Sequence, residues 1–413
     1  MAHHHGRPPS EDRQRSGIIL MALLAPFVMA TVVGLWLLWP ERADSDLGEG
    51  LGAPSRLVDA TVVEVRTGAC AGSTEEESLR CDLPTVRLDT GPDEGREVEL
   101  PEQPRTGPAL RIEEGDELVL GYFPESEPGF RYAFADRQRR EPLFVLGIVF
   151  AAAVIGFGRW KGLRALLGLG ASLLILARFA LPALLEGSDP LAVSLVAAGA
   201  IAVLALFLAH GVSRSTAIAL LGTLLSLTLV GVLAAVFVGA AELSGLTDEE
   251  STILQVSAAQ VDLRGLVLGG VVIGALGVLD DVTVTQVAAV GELRRADPGM
   301  GPTAVYRSAV RIGRDHIAST VNTLVLAYAG ASLSLLLLFT QLNQRLLDVL
   351  NGEVVAVEIV RTLVGGIGLV AAVPLTTALA VALNTGSPPA VEPNEVAAPM
   401  DVRTRGERRF WRG

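Results

Sequence analysis

A bilayer's hydrocarbon core, about 30 Å thick, demands about 20 consecutive, mostly apolar residues from each helix that crosses it. The sequence meets that demand along most of its length, at 17–39, 142–157, 163–185, 191–209, 216–240, 265–291, 317–338 and 357–383. The second stretch is short and is expected to extend by a turn. Half of the 413 residues are hydrophobic and the mean hydropathy is +0.46. A soluble core of this size cannot hide so much apolar surface, so the lipid bilayer is the first partner the chain implies. The first stretch outlasts the roughly 7 to 15 apolar residues of a signal peptide, and no small-residue cleavage site follows Trp39. It is expected to remain as an anchor.

Charge divides the chain. Between Glu41 and Glu141 there are 24 acidic and 12 basic residues, so this stretch carries the whole net charge of −12. That acidity argues against a nucleic-acid partner. Positively charged loops stay in the cytoplasm. Placing the N-terminus inside puts Arg7, Arg13, Arg15, Arg159, Lys161, Arg164, Arg214, Arg294, Arg295, Arg307, Arg311, Arg314 and the basic C-terminal tail on the cytoplasmic side. Only Arg264, Arg345 and Arg361 then fall in short outer loops. Eight spans return the C-terminus to the same side. The expected architecture is an α-helical polytopic membrane protein of about eight transmembrane helices, with a small extracytoplasmic all-β, OB-like domain between helices 1 and 2. The expected divisions are a cytoplasmic tail (1–16), the first helix (17–39), the extracytoplasmic domain (41–141), a seven-helix membrane domain (142–383) and a disordered cytoplasmic tail (384–413). Lys161 is the single lysine, an arginine bias pointing to a GC-rich bacterial genome.

Outside the membrane, Cys70 and Cys81 meet oxidising conditions and are expected to form a disulfide across the polar stretch between them. Alternating strands are readable at 60–66, 85–89, 97–100, 117–122 and 131–135, separated by Gly, Pro and acidic turns. Five short strands in about 80 residues suggest a small, partly open barrel. Glu141-Pro142-Leu143 and Asp189-Pro190-Leu191 each open an apolar span followed by a basic turn and a helix beginning Ala-Leu-Leu-Gly. This reads either as a parallel repeat of two hairpins or as chance likeness between membrane helices.

The sixth span carries Asp280 and Asp281 deep among apolar residues, where one carboxylate costs about 2.5 to 3.5 kcal/mol on insertion scales. Thr283 and Thr285 follow at spacings that offer each carboxylate a hydroxyl, with Gln286 beyond. Gly270, Gly274 and Gly277 thin the face before them, letting a helix approach or allowing the span to break. Neighbouring residues point about 100° apart, so the pair converges only if the backbone unwinds. In the seventh span His316, Thr320 and Thr323 share one face, and Ser319 and Asn322 the adjacent one. Arg178 in the third span is a candidate charge partner for the aspartates, or else snorkels outward. Together these residues suggest a binding site for a cation or proton. The competing reading is that the aspartates only hold the bundle together. Gln255, Gln260 and Asp262 precede the sixth span in a short segment read as a surface amphipathic helix.

The run from Gly274 to Gln286, Glu292-Leu-Arg-Arg, and the run from Arg314 to Gly330 resemble the YibE/F-like family of bacterial multi-pass membrane proteins. The likeness extends from the extracytoplasmic domain through the last span, and it implies an integral plasma-membrane protein. The small, apolar run 288–291 stands where a bulkier residue is expected.

No nucleophile elbow, zinc-protease helix or phosphate-binding glycine loop occurs. Two cysteines and five histidines leave no clustered zinc site. The chain is therefore expected to be neither an enzyme nor the holder of a cofactor, and no metal is assigned. Two functions remain: a secondary transporter or ion-conducting protein using the Asp-Asp site, and a non-transporting envelope assembly or scaffold protein whose extracytoplasmic domain binds a protein partner.

Overall fold

A computed structural model describes residues 11–41, 54–70, 80–104, 111–341 and 345–383. The expected C-terminal tail, most of the N-terminal tail and the segment 71–79 lie outside the described residues. The protein is mostly helical, with one antiparallel sheet near its N-terminus.

The sheet is built on β1 (Arg56–Ala69), which pairs with β2 (Arg80–Leu88) on one side and β5 (Glu117–Tyr122) on the other. β3 (Glu97–Glu99) and β4 (Gln103–Pro104) join β2, and β6 (Tyr132–Arg137) joins β5, giving the order β3-β2-β1-β5-β6. Alternation decides the buried face: Val58, Ala60 and Val62 of β1 pack with Val86 and Leu88 of β2 and with Leu118 and Leu120 of β5. A register shift at Val62/Glu64 bends β1. β1 runs about a turn's length past both expected ends, and the two-residue β4 carries too little pattern to be read from sequence. A Cys70–Cys81 disulfide, Cα atoms 5.0 Å apart, clasps the β1–β2 hairpin. Where the domain meets the membrane helices, Gln138 and Arg140 donate to opposite oxygens of Asp59 at 2.7 and 3.0 Å.

Six helical stretches are long and apolar enough to cross a membrane: 14–37, 140–185, 190–210, 214–240, 263–296 and 353–383. A seventh arises if α8 (Pro302–Ala331) and α9 (Leu333–Gln341), bent by 63°, form one span. The stretch 140–185 comprises α2 (Arg140–Ile175), a π-turn at Leu176–Ala180 and α3 (Leu181–Leu185). Its 46 residues would extend about 69 Å, twice a bilayer. Arg159, at φ 51° and ψ −129°, breaks it where the sequence separates the second and third spans. A Cβ at Gly162 would overlap the Val154 carbonyl oxygen, so the reversal depends on glycine there.

The helices alternate in direction. α1 (Glu11–Leu37) packs Gly34 against Val196 and Thr31 against Gly199 of α4 (Pro190–His210), which fixes them antiparallel. The centre of the bundle is α5 (Arg214–Ala240), α7 (Leu263–Ala296) and α11 (Glu353–Leu383). α7 runs alongside α4, with Gly265 on Pro190 and Gly269 on Ser194, and also alongside α11. α5 and α8 run the other way. Such glycine contacts let backbones approach where lipid removes the usual hydrophobic drive between helices. The two Ala-Leu-Leu-Gly segments pack against different neighbours: Gly168 meets Ala205 of α4, and Gly222 meets Thr376 of α11.

The short segment before α7 folds as α6 (Glu249–Ser257), closed by a reciprocal cap. Ser251 N–H donates to Asp248 at 2.7 Å while the Ser251 hydroxyl accepts from Asp248 N–H at 3.2 Å. These bonds hold the Asp248 carboxyl below the usual carboxylate range, chiefly through the Ser251 amide.

Two outcomes follow. Closing so short a loop contributes about 3 kcal/mol, so Cys70→Ser with Cys81→Ser should lower the sheet's unfolding midpoint, as should reductant on the full chain. A lowered folded pKa gives stability that is present above the unfolded value of about 3.9 and lost as pH falls through the folded one. Hydrogen exchange in α6, corrected for its intrinsic pH dependence, should therefore quicken on acidification in the native chain and stay unchanged in Asp248→Asn.

Candidate functional site

α7 carries both aspartates, and it stays helical through all 34 residues, with Arg294 and Arg295 in its last turn against the negative end of the helix dipole. The expectation of a break before the carboxylates is therefore corrected. Packing against α5 and α11 along the helix supports it as one rod, and the glycines serve to make space.

Because the helix does not unwind, the two carboxylates diverge. Asp280 turns into the bundle, and its Oδ1 is buried with no hydrogen-bond partner among the described residues. Asp281 turns toward α8 and is 72% exposed, with its Oδ2 3.8 Å from His316 Nε2. That distance is an electrostatic contact, too long for a hydrogen bond. His316 Nε2 likewise has no hydrogen-bond partner among the described residues.

The threonines do not serve the carboxylates as expected. Thr283 Oγ1 donates to the Asp280 carbonyl at 3.1 Å and Thr285 Oγ1 to the Asp281 carbonyl at 2.7 Å. A helical threonine reaches the carbonyl three or four residues back more easily than a side chain beside it. Thr320 and Thr323 behave alike, bonding the carbonyls of His316 and Ser319. Thr283 also meets Thr223 of α5 at 2.7 Å, and both are fully buried. Gln286 is buried as well, donating to the Ala309 carbonyl of α8 at 3.3 Å and lying against Gly313. It fastens α8 to α7. Of the α8 candidates only His316 comes to the carboxylates. Ser319, Asn322 and Thr323 are exposed, and Thr320 is half-buried. Arg178 sits in the π-turn, exposed, lining a groove between α1, α2 and α4, and it pairs with neither aspartate.

Two residues that the sequence reading did not count toward the site, Glu358 and Arg361, belong to this face. Arg361 was expected in an outer loop, but α11 begins at Glu353, so Arg361 lies two turns inside the helix. Its Nη1 pairs with Glu358 at 2.8 Å, both side chains under 30% exposed. The spacing Glu-x-x-Arg at the mouth of an apolar span was the available signal. The guanidinium approaches Gly270, the Tyr328 hydroxyl approaches Gly274, and nothing crowds Gly277. Residues 270, 274, 277 and 281 share one face of α7. That face joins the Glu358–Arg361 pair to the Asp281–His316 pair over about 16 Å. Above the former opens a hollow of about 430 Å³ whose wall includes Asp248, Glu250 and Ser251.

The register along the bundle also locates the aspartates. Thr223, opposite Thr283, is nine residues from Arg214 at the start of α5, about 14 Å. The offset of 75 between α4 and α7 sets His210 level with Thr285. Both measures put the carboxylates in the half of the bundle nearer His210 and Arg214. Among the described residues no three His, Cys, Asp or Glu side chains gather in a way that could hold a metal ion.

A family model described as YibE/F-like protein matches residues 146–386. The match begins inside α2 and contains the aspartates, His316 and the Glu358–Arg361 pair. It leaves out α1 and the sheet, a narrower extent than the sequence likeness suggested. No curated protein and no solved structure matches the chain.

The fit of Gln286 against Gly313 gives a test of how α8 is held. Gly313→Ala places a methyl on the Gln286 amide and against Val373, an overpacking that should cost about 1 to 3 kcal/mol. Adding Gln286→Ala should recover part of the lost melting temperature in detergent, an interaction that a double-mutant cycle reads directly.

Proposed function

The chain belongs to the YibE/F-like family, and we propose that it is a secondary transporter or ion-conducting protein of a bacterial plasma membrane, moving protons through Asp280, Asp281 and His316. The observation carrying the reading is the Asp280 carboxyl oxygen, buried without a hydrogen-bond partner among the described residues, one position from a carboxylate that faces an imidazole. Ionisable groups at such depth are expensive to keep and are functional by default. The divergence of the two carboxylates, with no three metal-ligating side chains converging among the described residues, favours a proton over a divalent ion. The glycine-lined face of α7, from Gly270 to Asp281, is the proposed path from the hollow beside Glu358 and Arg361.

The reading includes eight spans, counting the stretch 140–185 as two and α8 with α9 as one. Both termini lie in the cytoplasm and the sheet outside. Its support is the alternation of helix directions, together with the collection of Arg159, Lys161, Arg164, Arg214, Arg294 and Arg295 at one end. The sheet is read as an OB-like, partly open barrel centred on β1.

The deciding measurement is proton flux into liposomes containing the full chain. Asp280→Asn with Asp281→Asn should bring the rate down to that of protein-free vesicles while the purified variant keeps its elution profile and helical content. A well-folded double variant with undiminished flux sinks the proposal. The acidic extracytoplasmic sheet favours a second reading, an envelope scaffold that binds a protein partner there. In that case deleting 41–140 abolishes the cellular role while the aspartate variant retains it.

A further inference from the structure

A second hollow in the bundle is remote from the aspartates. It lies between α1, the second half of α2 with its π-turn, and α4, and encloses about 660 Å³. Its walls are apolar side chains such as Val32, Leu35, Leu174 and Leu204, and the one charge in its lining is Arg178. Arg178 has no ion pair or hydrogen bond among the described residues. Thr31, also in the lining, spends its hydroxyl proton on the Phe27 carbonyl at 2.9 Å. At the end of the groove Trp39 stacks on Phe179, ring centroids 5.9 Å apart. Such an aromatic ring suits the level of lipid headgroups.

The dimensions fit one kind of occupant. From Val28 of α1 to Trp39, two residues past its end, the groove spans about 16 Å, the depth of one bilayer leaflet. Val32 is 59% exposed and Leu174 58%, so the groove opens sideways toward lipid. Arg178 lies seven residues from Leu185, the end of α3, about 10 Å, within reach of the headgroup level by extending its side chain. The π-turn at Leu176–Ala180 interrupts the regular helical spacing at this position, a distortion that recurs at functional sites. An apolar slot one leaflet deep with a lone guanidinium near its mouth complements an acyl chain beneath a phosphate, which a guanidinium binds bidentately.

We propose that this groove binds an anionic phospholipid, one acyl chain lying along α1 and α4 and the headgroup phosphate held by Arg178. The lipid comes from the surrounding leaflet and clamps α1 against the pair formed by α2 and α4.

Native mass spectrometry of the full chain, released from vesicles of equal phosphatidylglycerol and phosphatidylcholine, tests it. The native protein should retain phosphatidylglycerol over phosphatidylcholine by about fivefold, the worth of one basic side chain near an anionic surface. Arg178→Gln, at an exposed position without partners, should lose that preference, and Arg178→Lys should keep part of it. Val32→Trp fills the groove from its lipid-facing side and should lower retention of both lipids with Arg178 in place. Equal retention of the two lipids by the native protein overturns the proposal. So does an undiminished preference in Arg178→Gln, and so does displacement of the lipid by inorganic phosphate alone.

Discussion

The hydrocarbon core of a bilayer donates and accepts no hydrogen bonds, so each polar group that α7 carries into the bundle has to be met by another helix or left costly. That constraint arranges the neighbours. Gln286 is met by the Ala309 carbonyl, and Gly313 removes the side chain that would stand in its way. Thr283 is met by Thr223, so α5 is fixed in register against α7. The apolar seams of Val271, Val272, Leu276 and Leu279 then close around these contacts and hold α5, α7 and α11 together.

The same constraint separates the two aspartates into different environments. Side-chain hydroxyls nearby are committed to backbone carbonyls, so they steady the helix and leave the carboxylates unsupported. Rotation by about 100° then sends Asp280 among buried residues and Asp281 to the α8 side. Two groups of one chemical type thus face unlike surroundings at nearly the same depth, one enclosed by the bundle and one beside an imidazole.

Much of this was legible in the sequence. Span length is a local requirement, so the apolar stretches translate into helices with boundaries shifted by a turn or less in most cases, and the strands follow from alternation over a few residues. What escaped depends on neighbours. Which face of α8 looks at α7 is set by the seating of Val305, Ala309 and Gly313; this brings His316 to Asp281 and turns Asn322, Ser319 and Thr323 away. Arg361 was misplaced because α11 starts at Glu353, a turn before its apolar run, and the charge nearest a span's end looks like a loop residue. Arg178 was matched with the aspartates by charge alone, although its side chain lines a groove between α1, α2 and α4, away from both carboxylates.

The unequal burial of α7 and α8 has a mechanical consequence. α7 buries residues along nearly its entire length, so displacing it would open the core and forfeit many contacts at once. α8 buries three residues, all in its first half, and beyond Gly313 its far half carries Tyr328 over Gly274 before the chain bends by 63° into α9. Moving that half disturbs the half-buried Ile317 and Val321, which pack on Val282, Leu369 and Val373, but uncovers no fully buried residue of α8. The side chain crossing the glycine face between Arg361 and Asp281 therefore sits on the part of the structure that costs least to shift, while the carboxylates sit on the part that costs most. In the proposed transport reading, a fixed site beside a yielding wall would let access change without disturbing the carboxylates, because the free energy needed for the motion would be confined to α8.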